Sequence, residues 1–404
     1  YRHFPERKGA AMSPPSQRAK LRDLAKLMNR QQTAPVPVTG RLIDCFELVI
    51  SPEEADFLLR LGTTPQSRTE IKTRFGRPPE RFDFLFENLL HKGLIWYRRD
   101  EDERGIYALA PILLGWFELQ LCRGQGTPTE REFARRVDRL FQSWGRFNVF
   151  PLRPLQNLMT RRRYLPGQSI AAPRSPGDPN KRTVIPVAKT VDAKPSEVWP
   201  TGSVRELILR NGRKGELALL HCFCRQWRDY VDEGCRFDFP AESCMGIGPF
   251  TDQIVEQGFG RRIGVDEALS VVDSVQKAGA VHTVFHEGDD ARRPQVAICN
   301  CCWDCCGVLG SYNRGIIPLK LAGHVLARVA EPEACVGCGR CERFCPVSAV
   351  RVSEGRPAVD SSRCIGCGQC AVQCPVECFT LERADRIVTL PLEPRKRARI
   401  PLAR

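Results

Sequence analysis

The chain has 404 residues, a formal net charge of +14 and 20 cysteines. That length allows two to four domains with at least one ordinary hydrophobic core. The cysteines cluster at C-x-C, C-C and C-x2-C spacings, too close to pair as ordinary disulfides, which excludes a secreted disulfide scaffold and points to metal in a reducing compartment. The most apolar stretch, Ile106 to Cys122, is interrupted by Pro111 and Glu118 and is too short for a membrane span.

In chain order, residues 1–40 form a basic arm, with eight Lys/Arg against Glu6 and Asp23 and one amphipathic helix over Ser16 to Met28. Residues 41–122 have the pattern of a winged-helix-like module. Ser51 caps a helix with Pro52 at its first position and Glu54 three residues on. Ser67 or Thr69 starts a second helix, and Pro78 and Pro79 open a third that Gly93 stops. Leu94–Arg98 and Gly105–Leu109 then read as a hairpin around the charged turn Asp100–Arg104. The third helix carries Glu80, Asp83 and Glu87 where a DNA reader needs Lys or Arg, so nucleic acid is not the expected partner.

Ile112 to Leu121 is expected as a buried helix and Thr129 to Trp144 as a basic amphipathic one. Residues 123–200 make a basic helix followed by a Pro/Arg-rich linker containing Arg161, Arg162 and Arg163. Residues 201–325 form a small cysteine-rich α/β module that includes a helix over Gly264 to Ala278 and a strand over Ala280 to Phe285. It holds Cys222, Cys224, Cys235 and Cys244, then Cys299, Cys301, Cys302, Cys305 and Cys306. Nine cysteines suffice for two four-ligand clusters with one to spare. Grouping the first four on one cluster and four of the last five on another is one partition; an interleaved one is equally open, as is a zinc site with free thiols. Arg225 is placed to offset thiolate charge and His221 to donate to sulfur, while Cys45, Cys122 and Cys378 lack partner spacing. His282, His286 and Glu287 have no nameable third ligand.

Residues 326–382 hold the strongest signal. Cys335, Cys338, Cys341 and Cys345 precede Pro346; Cys364, Cys367, Cys370 and Cys374 precede Pro375, 29 residues later. Strands over Val350–Val352 and Ala358–Asp360 form a hairpin between the two motifs. A basic tail, 383–404, follows.

The doubled C-x2-C-x2-C-x3-C-P motif resembles the bacterial two-cluster [4Fe–4S] ferredoxins, which implies a βαββαβ fold. In that arrangement the fourth cysteine of each motif crosses to the other cluster: Cys335, Cys338, Cys341 and Cys374 hold one, and Cys364, Cys367, Cys370 and Cys345 the other. The C-x-C-R motif at Cys222–Arg225 and the C-N-C-C-x2-C-C motif at Cys299–Cys306 resemble a widespread group of multicluster ferredoxins, over roughly residues 41–380. The expected architecture is therefore α+β: a winged-helix-like module, a small cysteine-rich α/β module and a βαββαβ two-cluster ferredoxin domain.

The expected function is low-potential electron transfer through two [4Fe–4S] clusters and up to four, as a subunit or dedicated donor or acceptor of a larger oxidoreductase. The basic arms would dock the protein redox partner, in the cytoplasm or at the face of a membrane complex. The alternative is an iron–sulfur-sensing regulator that binds DNA through the winged helix. No phosphate-binding loop or nucleophile–base set assigns a catalytic residue; a reaction centre at Cys299–Cys306 would need an open iron position.

Overall fold

The computed structural model describes residues 15–32, 36–76, 78–99, 105–149, 168–169, 204–287 and 294–392. Residues 1–14 of the basic arm, residues 393–404 of the basic tail, the turn 100–104 and the run Arg161–Arg163 lie outside them. Helix and sheet are mixed, and among the described residues no helix is long and apolar enough to cross a membrane.

Five N-terminal helices pack around one core. Pro15–Asn29 buries Leu21, Leu24, Ala25 and Met28 against helices Gly40–Val49 and Pro52–Leu61. The expected cap at Ser51 is a full capping box: its hydroxyl accepts from the Glu54 amide and the Glu54 carboxylate accepts from the Ser51 amide. The same carboxylate is 2% exposed and receives the Lys92 ammonium at 2.7 and 2.9 Å, so one buried acid ties the start of one helix to the end of another. Ser67, rather than Thr69, caps helix Arg68–Phe75, again with a capping box, to Glu70. Pro79–His91 follows, and Gly93 reverses the chain at φ +68°.

Strand β1 (Gln66–Ser67), β2 (Ile95–Arg99) and β3 (Gly105–Leu109) make a small antiparallel sheet in the order β1-β3-β2. The β2–β3 hairpin pairs Tyr97 with Tyr107. β1 has no counterpart in the sequence reading, because a two-residue strand carries no periodicity.

The continuous helix expected over Ile112 to Leu121 is instead a π-type turn, Ile112–Trp116, followed by the helical turn Phe117–Leu119. Side chains take the amides that would start an α-ladder: Leu113 donates to Gln32 Oε1 at 2.9 Å and Gly115 to Glu118 Oε2 at 3.1 Å. The basic helix runs Pro128–Val149 and buries Phe133, Ala134, Val137, Leu140 and Phe141.

The larger sheet has eight strands: β4 (Gln168–Ser169), β5 (Leu217–His221), β6 (Glu242–Ile247), β7 (Arg261–Arg262), β8 (Val281–His286), β9 (Gln295–Cys301), β10 (Leu319–Val329) and β13 (Phe379–Leu390). Their order is β13-β10-β4-β8-β9-β6-β5-β7. Helices Val204–Gly212 and Val265–Lys277 cover the face built from Leu217, Leu219, Met245, Val284 and Ile298. The opposite face meets the N-terminal core through Ala218 and Leu220.

After β10 come helix Arg340–Phe344, β11 (Val350–Ser353), β12 (Arg356–Val359), helix Gln369–Gln373 and β13. β11 and β12 pair antiparallel, and β13 returns along β10. β10 itself runs across the 325/326 boundary expected between modules, so the cysteine-rich segment and the C-terminal segment share one sheet.

A candidate iron–sulfur site in three thiol groups

None of the twenty cysteines is in a disulfide. Apart from Cys45, Cys122 and Cys378, they fall into three groups.

The C-terminal group repeats itself at the backbone level. Gly337 and Gly366 adopt φ +67° and +73°, Gly339 and Gly368 +66° and +77°, and Ser348 and Glu377 +53° and +56°, each pair 29 residues apart. The left-handed turns at Ser348 and Glu377 are uncommon for side chains with a Cβ. They aim the next amide at sulfur: Ala349 N donates to Cys345 Sγ at 3.1 Å and Cys378 N to Cys374 Sγ at 3.3 Å. Gly366 also admits no side chain, because a Cβ there would collide with the Val325 carbonyl. Burial raises the Cys341 thiol to about 11, and Cys374, Cys338 and Cys335 add to the rise. Cys370 is raised by burial and then by Cys367, Cys345 and Cys364. Cys374 thus lies with the first motif's triplet and Cys345 with the second's. Cys338 is exposed, whereas Cys364 and Cys370 are buried, so the first set lies nearer solvent.

The nine cysteines upstream divide six and three, an interleaved grouping. β9 is extended, so successive side chains point to opposite faces. Cys299 and Cys301 share one face with Cys244 of β6, while Asn300 shares the other with His282 and Ser243. Thiol-to-thiol hydrogen-bond contacts run Cys301–Cys306–Cys224–Cys222–Cys244–Cys299, and the shared face of β9 closes the ring. Gly307 N donates to Cys224 Sγ at 3.0 Å and Val308 N to Cys306 Sγ at 3.3 Å.

Cys235, Cys302 and Cys305 form the third group. Their sulfurs all lie within 4.8 Å of one another, with Cys235–Cys302 at 3.6 Å and Cys302–Cys305 at 3.2 Å. Phe237, Phe239 and Trp303 surround them. The simple partition, with Cys235 beside Cys222, Cys224 and Cys244, therefore does not describe the geometry.

Arg225 stands between the two upstream groups. It is 5% exposed, and Nη1 donates to the Pro240 carbonyl at 2.7 Å and to Ser243 Oγ at 2.9 Å. Burial pushes its pKa down, but Cys222, Cys305, Cys244 and Cys235 outweigh that and raise it. Nε and Nη2 are buried and have no partner among the described residues. A buried guanidinium with two unpartnered N–H directions, set among sulfur donors, fits an anionic thiolate-bound centre and not a plain apolar core. The thiols themselves are soft donors with amides aimed at them, which fits iron–sulfur ligation.

Several singled-out residues have structural explanations. Asn300, inside the C-N-C-C motif, donates through Nδ2 to the Ser243 carbonyl and accepts through Oδ1 from His282 Nδ1 at 2.5 Å, fixing β8, β9 and β6 in register. His282 is thus a buried brace for Asn300. The His221 imidazole packs over the Gly124 backbone, where a Cβ would collide with it. Cys122, set aside in the sequence for want of partner spacing, lies beside Cys222 and Cys299, with its thiol donating to the Glu118 carbonyl at 3.1 Å. Its proximity comes from tertiary packing, for which no sequence signal exists.

The C-terminal group docks on both upstream groups. Asn313 Nδ2 donates to the Pro346 carbonyl at 2.9 Å and to the Trp303 carbonyl at 3.2 Å, linking one Cys-Pro motif to the Cys-Cys-Trp run. Gln369 Nε2 donates to the Ala280 carbonyl at 2.6 Å. Phe344, between Cys341 and Cys345, meets Phe237 edge-on at 6.5 Å, and Phe237 meets Trp303 at 5.2 Å. Cys301 and Cys306 share a continuous apolar cluster with Cys341, Cys364 and Cys370.

Residues 327–375 match the family described as a 4Fe-4S dicluster domain, a segment that contains all eight cysteines of the doubled motif. No curated protein and no solved structure matches the chain. The chain therefore carries a [4Fe–4S] dicluster segment of ferredoxin type and is an iron–sulfur protein.

Proposed function

We propose that the chain is a low-potential electron-transfer protein, a subunit or dedicated donor or acceptor of a larger oxidoreductase. The observation that carries this is the buried connection from the dicluster cysteines to both upstream thiol groups, through Phe344, Phe237 and Trp303 on one side and the Cys301–Cys306 apolar cluster on the other. Cys335, Cys338, Cys341 and Cys374 hold one cluster, and Cys364, Cys367, Cys370 and Cys345 the second. The nine upstream cysteines bring the total to as many as four. A bound [4Fe–4S] cluster supplies one-electron redox chemistry.

The chain's own residues do the rest. Amides of Ala349 and Cys378 point at sulfur and favour the more reduced, more negative state, and Arg225 offsets thiolate charge. Aromatic side chains exclude water along the docking face, and exposed Cys338 with Val336 brings the first dicluster site to the surface. The C-terminal order β10–helix–β11–β12–helix–β13 supports a βαββαβ ferredoxin fold, and residues 41–122 a winged-helix-like module. In helix Pro79–His91 of that module, Asp83 is paired with Arg68 and Lys72, and Glu87 with Arg68, so these two acidic charges are satisfied internally. Protein docking, with the basic arms fixing a redox partner in the cytoplasm or at a membrane complex, is accordingly the favoured role.

The test is iron and acid-labile sulfide on anaerobically purified full chain, followed by EPR during a reductive titration. More than about eight irons, the sum for two cubanes, with magnetic coupling between reduced centres, is the expected result. About eight irons and no coupling beyond the dicluster pair removes the upstream groups from the electron path.

A further inference from the structure

Cys235, Cys302 and Cys305 differ from the other thiols in spacing. A single ion bound by thiolates at about 2.3 Å in a tetrahedron places their sulfurs ~3.8 Å apart. The four thiolates of a cubane each sit outside a different corner iron and spread much further. At 3.6 and 3.2 Å, with all three sulfurs within 4.8 Å, this group has the spacing of one ion. The dicluster cysteines form no such compact trio among the described residues, nor do the six of the ring.

All twenty cysteines are placed, and no fourth thiol joins the three. Asp304, between Cys302 and Cys305, turns Oδ2 to the Arg236 amide at 2.9 Å. The Cys305 amide donates to Cys302 Sγ at 3.1 Å, which stabilises a thiolate there. Phe237, Phe239 and Trp303 line the surroundings, and Arg225, with its guanidinium 4.9 Å over the Phe239 ring, brings the buried, unpartnered Nε and Nη2. Among the described residues the trio has no fourth ligand, and three protein ligands with one free position is the pattern of zinc sites that bind an exogenous group. A soft thiolate-ligated ion favours a soft donor in the fourth position, and the unsatisfied guanidinium favours one that is anionic.

We infer that Cys235, Cys302 and Cys305 hold one zinc-type ion, not a fourth iron–sulfur cluster, and leave its fourth position open to a small thiolate. It limits the chain to three clusters and takes the trio out of the electron path, leaving the route from the dicluster cysteines to the six-thiol ring through the Cys301–Cys306 apolar cluster.

The test uses full chain purified anaerobically without added thiol. Metal analysis is expected to find about one zinc per chain beside the iron, and zinc-edge X-ray absorption three sulfurs and one light atom. Adding 2-mercaptoethanol is expected to convert that shell to four sulfurs. Cys235→Ser, in a segment outside any helix or strand, is expected to lose the zinc and keep the iron and sulfide of the parent. Cys302→Ser repeats the measurement from the buried side. Absence of zinc from the parent, or loss of iron from Cys235→Ser, overturns the single-ion assignment. Four sulfurs before any thiol is added overturns the open position. A shell unchanged by 2-mercaptoethanol overturns the thiolate ligand.

Discussion

Cys301 and Cys302 are adjacent in the chain, yet their thiols belong to different sites. Cys301 contacts Cys306 in the six-thiol ring, and Cys302 lies 3.6 Å from Cys235 and 3.2 Å from Cys305 in the trio. The Cys305-Cys306 pair splits the same way. Alternation at the end of β9 thus feeds two thiol groups from one eight-residue run, and the guanidinium of Arg225 lies among sulfurs of both.

Arg225 is expected to tune the potential of the ring's centre. Replacing it by glutamine removes a buried positive charge beside Cys222 and Cys244, and an anionic centre then accepts an electron less readily. The potential should fall by on the order of 60 mV, a tenfold change for a one-electron couple. EPR-monitored potentiometric titration of Arg225→Gln against the parent reads this directly. Identical potentials for every centre, at unchanged iron content, would remove Arg225 from that role.

Gly279 sets the junction between the dicluster segment and the rest. Its φ is +107°, and a Cβ would lie 2.6 Å from Phe344 Cδ1 and 2.9 Å from Phe237 Cε1, both atoms of aromatic rings. Gly279→Ala is expected to cost about 2 kcal/mol or more from backbone strain and overpacking. Anaerobic thermal unfolding measures it. A melting temperature equal to the parent's would mean that Phe344 does not pack there in solution.

The doubled motif made the C-terminal site legible in the sequence because cluster ligation is local: three of four ligands sit within seven residues, and the glycines that turn the chain sit between them. The capping box at Ser51 was legible for the same reason, as an interaction over three residues, whereas the sequence offers both Ser67 and Thr69 as starts of the next helix and the Glu70 contacts decide for Ser67. The grouping of Cys222–Cys306 was not, because it depends on which face of β9 each residue takes and on the β6–β9 pairing, a contact about fifty residues long in sequence. Cys122 is a sharper case, brought beside Cys222 and Cys299 by packing alone. The π-type turn at Ile112–Trp116 was hidden because Gln32, some eighty residues upstream, takes the Leu113 amide.

His282 gives the fold an acid limit. Burial pushes its imidazole down to about 4, with the Asn300 hydrogen bond pulling the other way. The unfolded value is near 6.5, so the unfolded chain binds a proton between those limits that the folded chain refuses. This contribution is fully present above about pH 6.5 and is lost as pH falls towards 4, by about 3 kcal/mol in all. His282→Gln keeps a donor for Asn300 and removes the titration. Stability measured by denaturant between pH 7 and 4.5 should fall less steeply in the variant than in the parent. Parallel curves would show that His282 is not the group refusing the proton.

Lys92 and Glu54 form the most buried ion pair described in the N-terminal core, with side chains 19% and 3% exposed. Lys92 also donates to the Val49 carbonyl at 2.8 Å, so its ammonium closes the gap between three helix ends. Lys92→Met leaves the Glu54 carboxylate buried with only Asn88 and the Ser51 amide for company. The expected cost is about 3 kcal/mol, the penalty for an uncompensated buried charge. Glu54→Gln added to Lys92→Met removes that charge and should recover part of the loss, since glutamine can still accept from the Ser51 amide. Chemical denaturation of the single and double variants decides it: a double variant no more stable than Lys92→Met would show that helix geometry, and not the stranded charge, sets the cost.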